Sequence, residues 1–129
     1  MARGYTVATV ALALGAPFKW VDNVLSHYSL EGVSQSRQGV ARVIGFEAVF
    51  QLALLSNLSE TLSVPVEAGI GGSLLLARTG EWRPGGGIIV RIDREEALEN
   101  LRAQLAAAVE AAPLPRRGRP ATKAKRGAD

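Results

Sequence analysis

Four polar side chains recur at helical spacing in the segment that follows Pro17. These residues are Lys19, Asp22, Asn23 and Ser26. Lys donates hydrogen bonds to guanine or phosphate, and Asn can pair bidentately with adenine. Asp22 could accept from cytosine, orient Lys19, or do neither. The spacing predicts a helix side that contacts base edges in the major groove of DNA, and the alternative is an ordinary solvated helix surface.

Two short amphipathic helices joined by a glycine turn would position this polar side. We predict the first helix at residues 7–14, with Thr6 as its N-cap, and the second at 17–28. Gly15 permits the tight turn, and Pro17 suits the first turn of a new helix. The apolar face of the second helix is expected to contain Phe18, Val21, Val24 and Leu25. The residues expected to fix the crossing of the two helices are Val10, Leu14, Val21 and Val24. Together the two segments form a helix-turn-helix pattern.

Residues 29–45 have the composition of a short β-hairpin. Turn-forming Gly and Ser residues alternate here with strand-forming Val and Ile. Arg37, Gln38 and Arg42 belong to this hairpin and would lie beside a nucleic-acid backbone, where such contacts position a protein without specifying sequence. The alternative is a charged hairpin tip with no ligand.

Two further helices are predicted after the hairpin. The segment 46–62 has a continuous apolar side and should form the core helix. A fourth helix is predicted at 66–79, although glycines at positions 69, 71 and 72 oppose it, each costing about 1 kcal/mol relative to Ala. A strand over residues 73–78 is the alternative.

The order of helix, turn, helix, hairpin and helix resembles the MerR-like and excisionase-like winged helix-turn-helix proteins over residues 6 to about 79. The matching run is QGVARVIGFE at positions 38–47, in which a Gly- and Arg-containing wing precedes an apolar strand and an acidic-capped helix. The chain departs from the MerR pattern after the second helix, where a Tyr pair is usual and only Tyr28 is present. The resemblance implies a winged helix fold, a fourth helix, and DNA as the partner.

The segment 80–112 is predicted to dock against a second surface. We expect a loop at 79–87, a strand at 88–92, and a helix from Asp93, its cap, to about residue 112. Apolar residues of this helix form a stripe, called here the leucine seam: Leu98, Leu101, Leu105, Ala108 and Ala112. The strand and the seam are the two candidate surfaces for a homodimer or for a different protein partner.

The C-terminal residues 113–129 combine six basic residues with one acidic residue and have almost no apolar side chains. Such a segment cannot bury enough surface to fold alone, so we predict a disordered basic tail. Its Arg117, Gly118, Arg119 and Pro120 resemble the core of an AT-hook, in which Gly permits close approach to the narrow minor groove and the arginines spread along it. A generic basic tail is the alternative, and both interpretations favour nucleic acid.

The composition also restricts the possible chemistry. The chain has no Cys and a single His, His27, so disulfides and Cys- or His-based metal sites are not expected. The glycines at 69–72 lack the spacing and the Lys of a phosphate-binding loop, and no nucleophile has an activating partner, so we predict neither a cofactor nor an enzyme. A cytoplasmic location is expected, and no apolar run suits a membrane span.

These observations predict a mainly α fold with a small β component in three parts: a winged helix-turn-helix domain at 1–79, a strand-helix segment at 80–112, and the tail. The leading hypothesis is a non-enzymatic, dimeric transcriptional regulator that binds DNA. An alternative is an antitoxin-type interaction protein that binds a partner through its C-terminal strand and helix and binds DNA for autoregulation. A third hypothesis is an architectural DNA-binding protein that acts mainly through the tail.

Overall fold

The computed structural model describes residues 4–34 and 42–111 of the 129-residue chain. It is mainly helical, with two small antiparallel sheets. In chain order the elements are β1 (Gly4–Tyr5), α1 (Val7–Leu14), α2 (Phe18–His27), β2 (Val33–Ser34), β3 (Val43–Gly45), α3 (Phe46–Leu62), α4 (Val66–Thr79), β4 (Glu81–Gly85), β5 (Ile88–Arg91) and α5 (Arg94–Ala111). The predicted basic tail lies outside the described residues.

Helix α1 has the predicted bounds and the predicted cap. The Thr6 hydroxyl accepts a hydrogen bond from the backbone N–H of Thr9 at 3.1 Å, which satisfies one of the donors left free at a helix start. Gly15 ends the helix in the left-handed region at φ +65°, a conformation that glycine adopts without strain. This cap supplies the tight turn that sends the chain into α2.

Helix α2 begins one residue later than predicted, because Pro17 is its N-cap rather than its first helical residue. Val21, Val24 and Leu25 are buried as expected. Phe18 is not, since 55% of its surface is exposed, and its assignment to the apolar side was wrong. At the first helical position the chain is still leaving the turn, so helical periodicity alone does not fix the side on which Phe18 lies.

The predicted hairpin after α2 is present as a pair of short strands. Strand β3 is central in a three-stranded sheet, with β1 on one side and β2 on the other, both antiparallel. Ile44 of β3 is fully buried and pairs with Val33 on β2 and Tyr5 on β1. The N-terminal strand therefore anchors the hairpin to the start of α1, an element that periodicity did not predict.

Helices α3 and α4 have their predicted bounds, and the strand alternative for residues 73–78 is wrong. Close packing explains two of the three helical glycines. A Cβ on Gly72 would lie 2.4 Å from the indole of Trp82, and one on Gly69 would lie 3.1 Å from side-chain atoms of Leu55 and Val64. Tertiary contact with bulky neighbours thus outweighs the low helix propensity of this segment.

The predicted loop at 79–87 is instead mostly strand β4, which forms an antiparallel hairpin with β5. Glu81 pairs with Arg91 and Trp82 with Val90, and the register shifts between Trp82 and Gly85. Hydrogen bonds from Arg83 and Arg91 hold the pKa of the Glu81 carboxyl below its usual value. The loop prediction was wrong because Pro84 and Gly85 suggested a turn, whereas antiparallel pairing with β5 makes this segment a strand.

Helix α5 begins as predicted, since the Asp93 carboxylate accepts a hydrogen bond from the Glu96 backbone N–H at 3.1 Å. Leu101, Leu105 and Ala108 of the leucine seam are buried, and α5 packs mainly against α1 of the same chain. One apolar cluster contains residues of both predicted folded segments. Because these seam positions are already covered, they do not offer a dimer surface in this structure. None of the described helices has the length and apolarity needed to cross a membrane.

Candidate nucleic-acid interface

The polar side of α2 faces away from the core. Lys19, Asn23 and Ser26 are exposed, whereas Asp22 is half-buried. The opposite side of the helix is held against the core by its buried apolar residues. All four predicted site residues of α2 thus occupy one continuous outer side of a helix that is fixed to the fold from behind.

Arg42, at the start of the β3 segment, joins this side of α2 to the hairpin. Its Nη1 lies 2.6 Å from the Oδ1 of Asp22, and its Nη2 donates to the Oγ of Ser26 at 3.1 Å. The Ser26 hydroxyl in turn donates to the backbone oxygen of Asp22 at 2.9 Å. Three residues predicted as separate DNA contacts therefore form one network within the protein.

This network changes the roles expected of its members. Only 22% of the Arg42 side chain is exposed, so Arg42 is largely occupied in bracing the hairpin against α2. Asp22 orients Arg42 rather than Lys19, and the paired guanidinium offsets a carboxylate that would otherwise repel a phosphate backbone. Sequence spacing could not identify the pair, because 20 positions separate the two residues.

Lys19 and Asn23 are the two predicted base contacts of α2 that lie outside this network. Neither makes a hydrogen bond to another residue in the described parts of the chain, and both are exposed. His27 is also exposed, and its Nδ1 lies 2.8 Å from the backbone oxygen of Asn23. Because a carbonyl only accepts, the Nδ1 must carry the proton, which holds the imidazole along the end of α2.

Phe18 is a surface residue beside Lys19 that the sequence analysis placed in the core. An aromatic side chain at the start of such a helix can make apolar contact with a thymine methyl group. Its position in the sequence could have indicated this exposure, because the residue directly after an N-cap lies at the margin of the helical pattern. Trp20, two residues further along α2, is half-buried and packs against the core.

Six of the predicted site residues belong to segments outside the described ranges. Arg37 and Gln38 of the hairpin lie outside the described residues, as do Arg117, Gly118, Arg119 and Pro120 of the AT-hook-like motif. In the described ranges, no three His, Asp or Glu side chains come together in a way that could hold a metal ion.

Comparison of the chain with models of known protein families, with curated proteins and with solved structures finds no match to any of them. The geometry of α2 and its hairpin is therefore the main guide to the function of this chain.

Proposed function

We propose that the protein binds duplex DNA as a sequence-specific, non-enzymatic regulator, with α2 as the recognition helix of a winged helix-turn-helix. The observation that carries this proposal is the exposed polar side of α2, braced against the β2–β3 hairpin by the network of Arg42, Asp22 and Ser26. A recognition surface must be rigid to discriminate between bases, and this network fixes the relative position of a helix and a hairpin.

In the proposed complex the outer side of α2 enters the major groove. Lys19 and Asn23 contact base edges, and Phe18 lies against apolar atoms of the groove. The β2–β3 hairpin follows the sugar-phosphate backbone, with Arg37 and Gln38 as phosphate contacts. The basic tail adds electrostatic attraction that falls steeply as salt is raised.

Selection of bound sequences from a random DNA pool tests this function. The full chain should enrich a defined motif, and the double variant Lys19→Ala/Asn23→Ala should lose it. Arg83→Ala/Asn100→Ala is the matched control, because it removes one charge and one amide from exposed positions on β4 and α5. Failure of the full chain to enrich any motif, or equal loss in both double variants, would rule out the proposed recognition helix.

Deletion of residues 113–129 separates sequence-specific regulation from architectural binding. A regulator that recognises its site through α2 should keep the same motif with weaker affinity and a shallower salt dependence, because it loses phosphate contacts only. A protein that depends on the AT-hook-like motif should lose binding altogether. Persistence of the motif therefore supports α2 as the source of specificity.

A second candidate function, binding of a protein partner, is favoured by the β4–β5 hairpin. Ile88 is 60% exposed and Ile89 42% exposed, although both belong to a strand. In the described chain β5 pairs only with β4, so its other edge is open to a strand from a partner or a second copy. Stable co-purification of a different small protein, lost in Ile88→Thr/Ile89→Thr, would support this antitoxin-like function, and a monomeric wild-type protein that co-purifies with nothing would argue against it.

A further inference from the structure

A cavity of about 520 Å³ lies where α3, α4 and α5 meet, away from the polar side of α2. Its apolar lining comes from one side of each helix and includes Phe46, Phe50, Leu74, Ala77 and Leu98. This volume falls within the range of protein sites for small molecules, which combine apolar walls with a few polar groups. The cavity is open to solvent on one side, so a ligand could enter without unfolding.

Two arginines of α5 that line this cavity lie over aromatic rings. The guanidinium carbon of Arg94 lies 5.9 Å from the centre of the Phe50 ring, and that of Arg102 lies 5.5 Å from the centre of the Phe46 ring. Arg94 also donates from Nε to the backbone oxygen of Ala77 at 2.7 Å. Such contacts orient the guanidinium groups without neutralising their charge.

The charges around the cavity favour an anion. Neither Arg94 nor Arg102 has a carboxylate within 4.0 Å in the described ranges. The third arginine of the lining, Arg78, is paired with Glu31 at 2.6 Å, so this pair adds no net charge. The remaining acidic group of the lining is the exposed Glu47, which leaves one positive charge in excess.

A buried amide supplies a further polar group in the lining. Gln51 is 6% exposed, and its Nε2 donates to the backbone oxygen of Ile70 at 3.0 Å and to the Oγ of Ser73 at 3.3 Å. The Gln51 side-chain oxygen accepts no hydrogen bond from another described residue. It can therefore accept one from a hydroxyl or N–H group of a ligand.

We propose that this cavity binds an organic anion with a flat aromatic body, such as an aromatic carboxylate. The aromatic body packs between the phenylalanines and Leu98, and the carboxylate accepts hydrogen bonds from Arg94 and Arg102. Arg supplies a planar, bidentate donor for carboxylates, and a charged hydrogen bond is stronger than a neutral one. The site is separate from the proposed DNA-binding surface, so its existence does not depend on that function.

Titration calorimetry of the full chain with 2-naphthoate, and with the neutral 2-naphthamide, tests the site. We expect one naphthoate per chain and amide binding weaker by about tenfold, the difference that loss of a charged contact commonly produces. Arg102→Gln should weaken naphthoate binding by about tenfold, and Arg102→Lys by less, because Lys keeps the charge but loses the planar contact. Arg102 is exposed and its side chain makes no hydrogen bond within the described residues, so both variants should fold, which circular dichroism checks.

Arg83→Gln is the matched control, since it removes an exposed arginine from β4 outside the cavity. It should leave naphthoate binding unchanged. Absence of saturable naphthoate binding at millimolar concentration, equal binding of the amide, or equal binding by Arg102→Gln would each overturn the proposal.

Discussion

At the scale of single residues, Arg42 connects two parts of the proposed DNA-binding surface. It contacts Asp22 and Ser26 of α2 from the hairpin, and it does so through two different nitrogen atoms. A planar guanidinium suits this geometry, because one side chain can bind two acceptors at a fixed angle. In the proposed complex, Arg42 therefore positions other groups, and Lys19 and Asn23 contact the bases.

Arg42 and Asp22 should be energetically coupled. In urea unfolding, the double variant Arg42→Gln/Asp22→Asn should lose less stability than the two single variants lose together. The difference, which is the coupling energy of the pair, should be about 0.5–1 kcal/mol because Asp22 is partly solvated. The pair of Arg78 and Glu31, which is much more exposed, provides the control and should show a smaller coupling. Additive effects for Arg42 and Asp22 would show that their contact does not brace the hairpin.

The Glu81 carboxylate should make the stability of the β4–β5 hairpin depend on acid. Hydrogen bonds from Arg83 and Arg91 lower the pKa of this carboxyl in the folded protein. Its stabilising effect is therefore present above the usual pKa of Glu and is lost as the pH falls through the lowered pKa of the folded state. From about pH 5 to about pH 3, the free energy of unfolding should therefore fall more steeply for the wild type than for Glu81→Gln. An equally steep fall in the wild type and in Glu81→Gln would contradict this contribution of the Glu81 carboxylate.

At the scale of elements, the glycines of α4 have different roles although they are close in sequence. Gly72 gives the Trp82 indole the space to lie on the helix, whereas nothing lies within 4 Å of a Cβ built on Gly71. The contact with Trp82 connects α4 to the β4–β5 hairpin. Propensity alone treats the two glycines as equally unfavourable, so only the structure distinguishes them.

Substitution of each glycine by Ala should have opposite effects on stability. Gly71→Ala should stabilise the protein by about 0.5–1 kcal/mol in urea unfolding, because Ala is the better helix former and meets no neighbour. Gly72→Ala should destabilise it by about 1–3 kcal/mol, because the new methyl group forces Trp82 from its position. Equal stabilisation by both substitutions would contradict the packing of Trp82 against α4.

The helices were largely predictable because their signals are local. Thr6, Gly15 and Asp93 mark helix ends through chemistry that acts within one turn, and apolar periodicity identifies α3 over its whole length. Strand β4 was not predictable in this way, since Pro84 and Gly85 suggest a turn and the stabilising partner is a separate strand. The same limit applies to Arg42, whose partners on α2 are distant in sequence.

At the scale of the whole molecule, one core joins the first four helices to α5. Residues 1–79 and 80–112 were predicted as separate segments. Leu101 of α5 is only 2% exposed and belongs to the same apolar cluster as Val10 of α1. The leucine seam was predicted as a surface for a homodimer or a partner protein, whereas its buried residues pack within this chain. Sequence spacing identifies an apolar side without identifying what covers it.

Loss of the Leu101 side chain should therefore weaken the whole fold. Leu101→Ala should reduce the free energy of unfolding by about 2–5 kcal/mol in a single cooperative transition, because it leaves a cavity in the shared core. Val109→Ala, at a position of α5 that is 43% exposed, should cost much less. Two separate unfolding transitions, with Leu101→Ala shifting only one of them, would show that α5 folds independently of α1.

The central claim, that the outer side of α2 contacts DNA, is tested most directly by amide chemical-shift mapping. The isotope-labelled full chain would be titrated with the duplex recovered by selection and with a shuffled duplex of the same composition. Among residues 4–34 and 42–111, the largest shifts with the selected duplex should fall on residues 18–27 and 42–45, and the amides of β5 and α5 should change little. Shifts concentrated on β5 and α5, or the same pattern with both duplexes, would contradict recognition by α2.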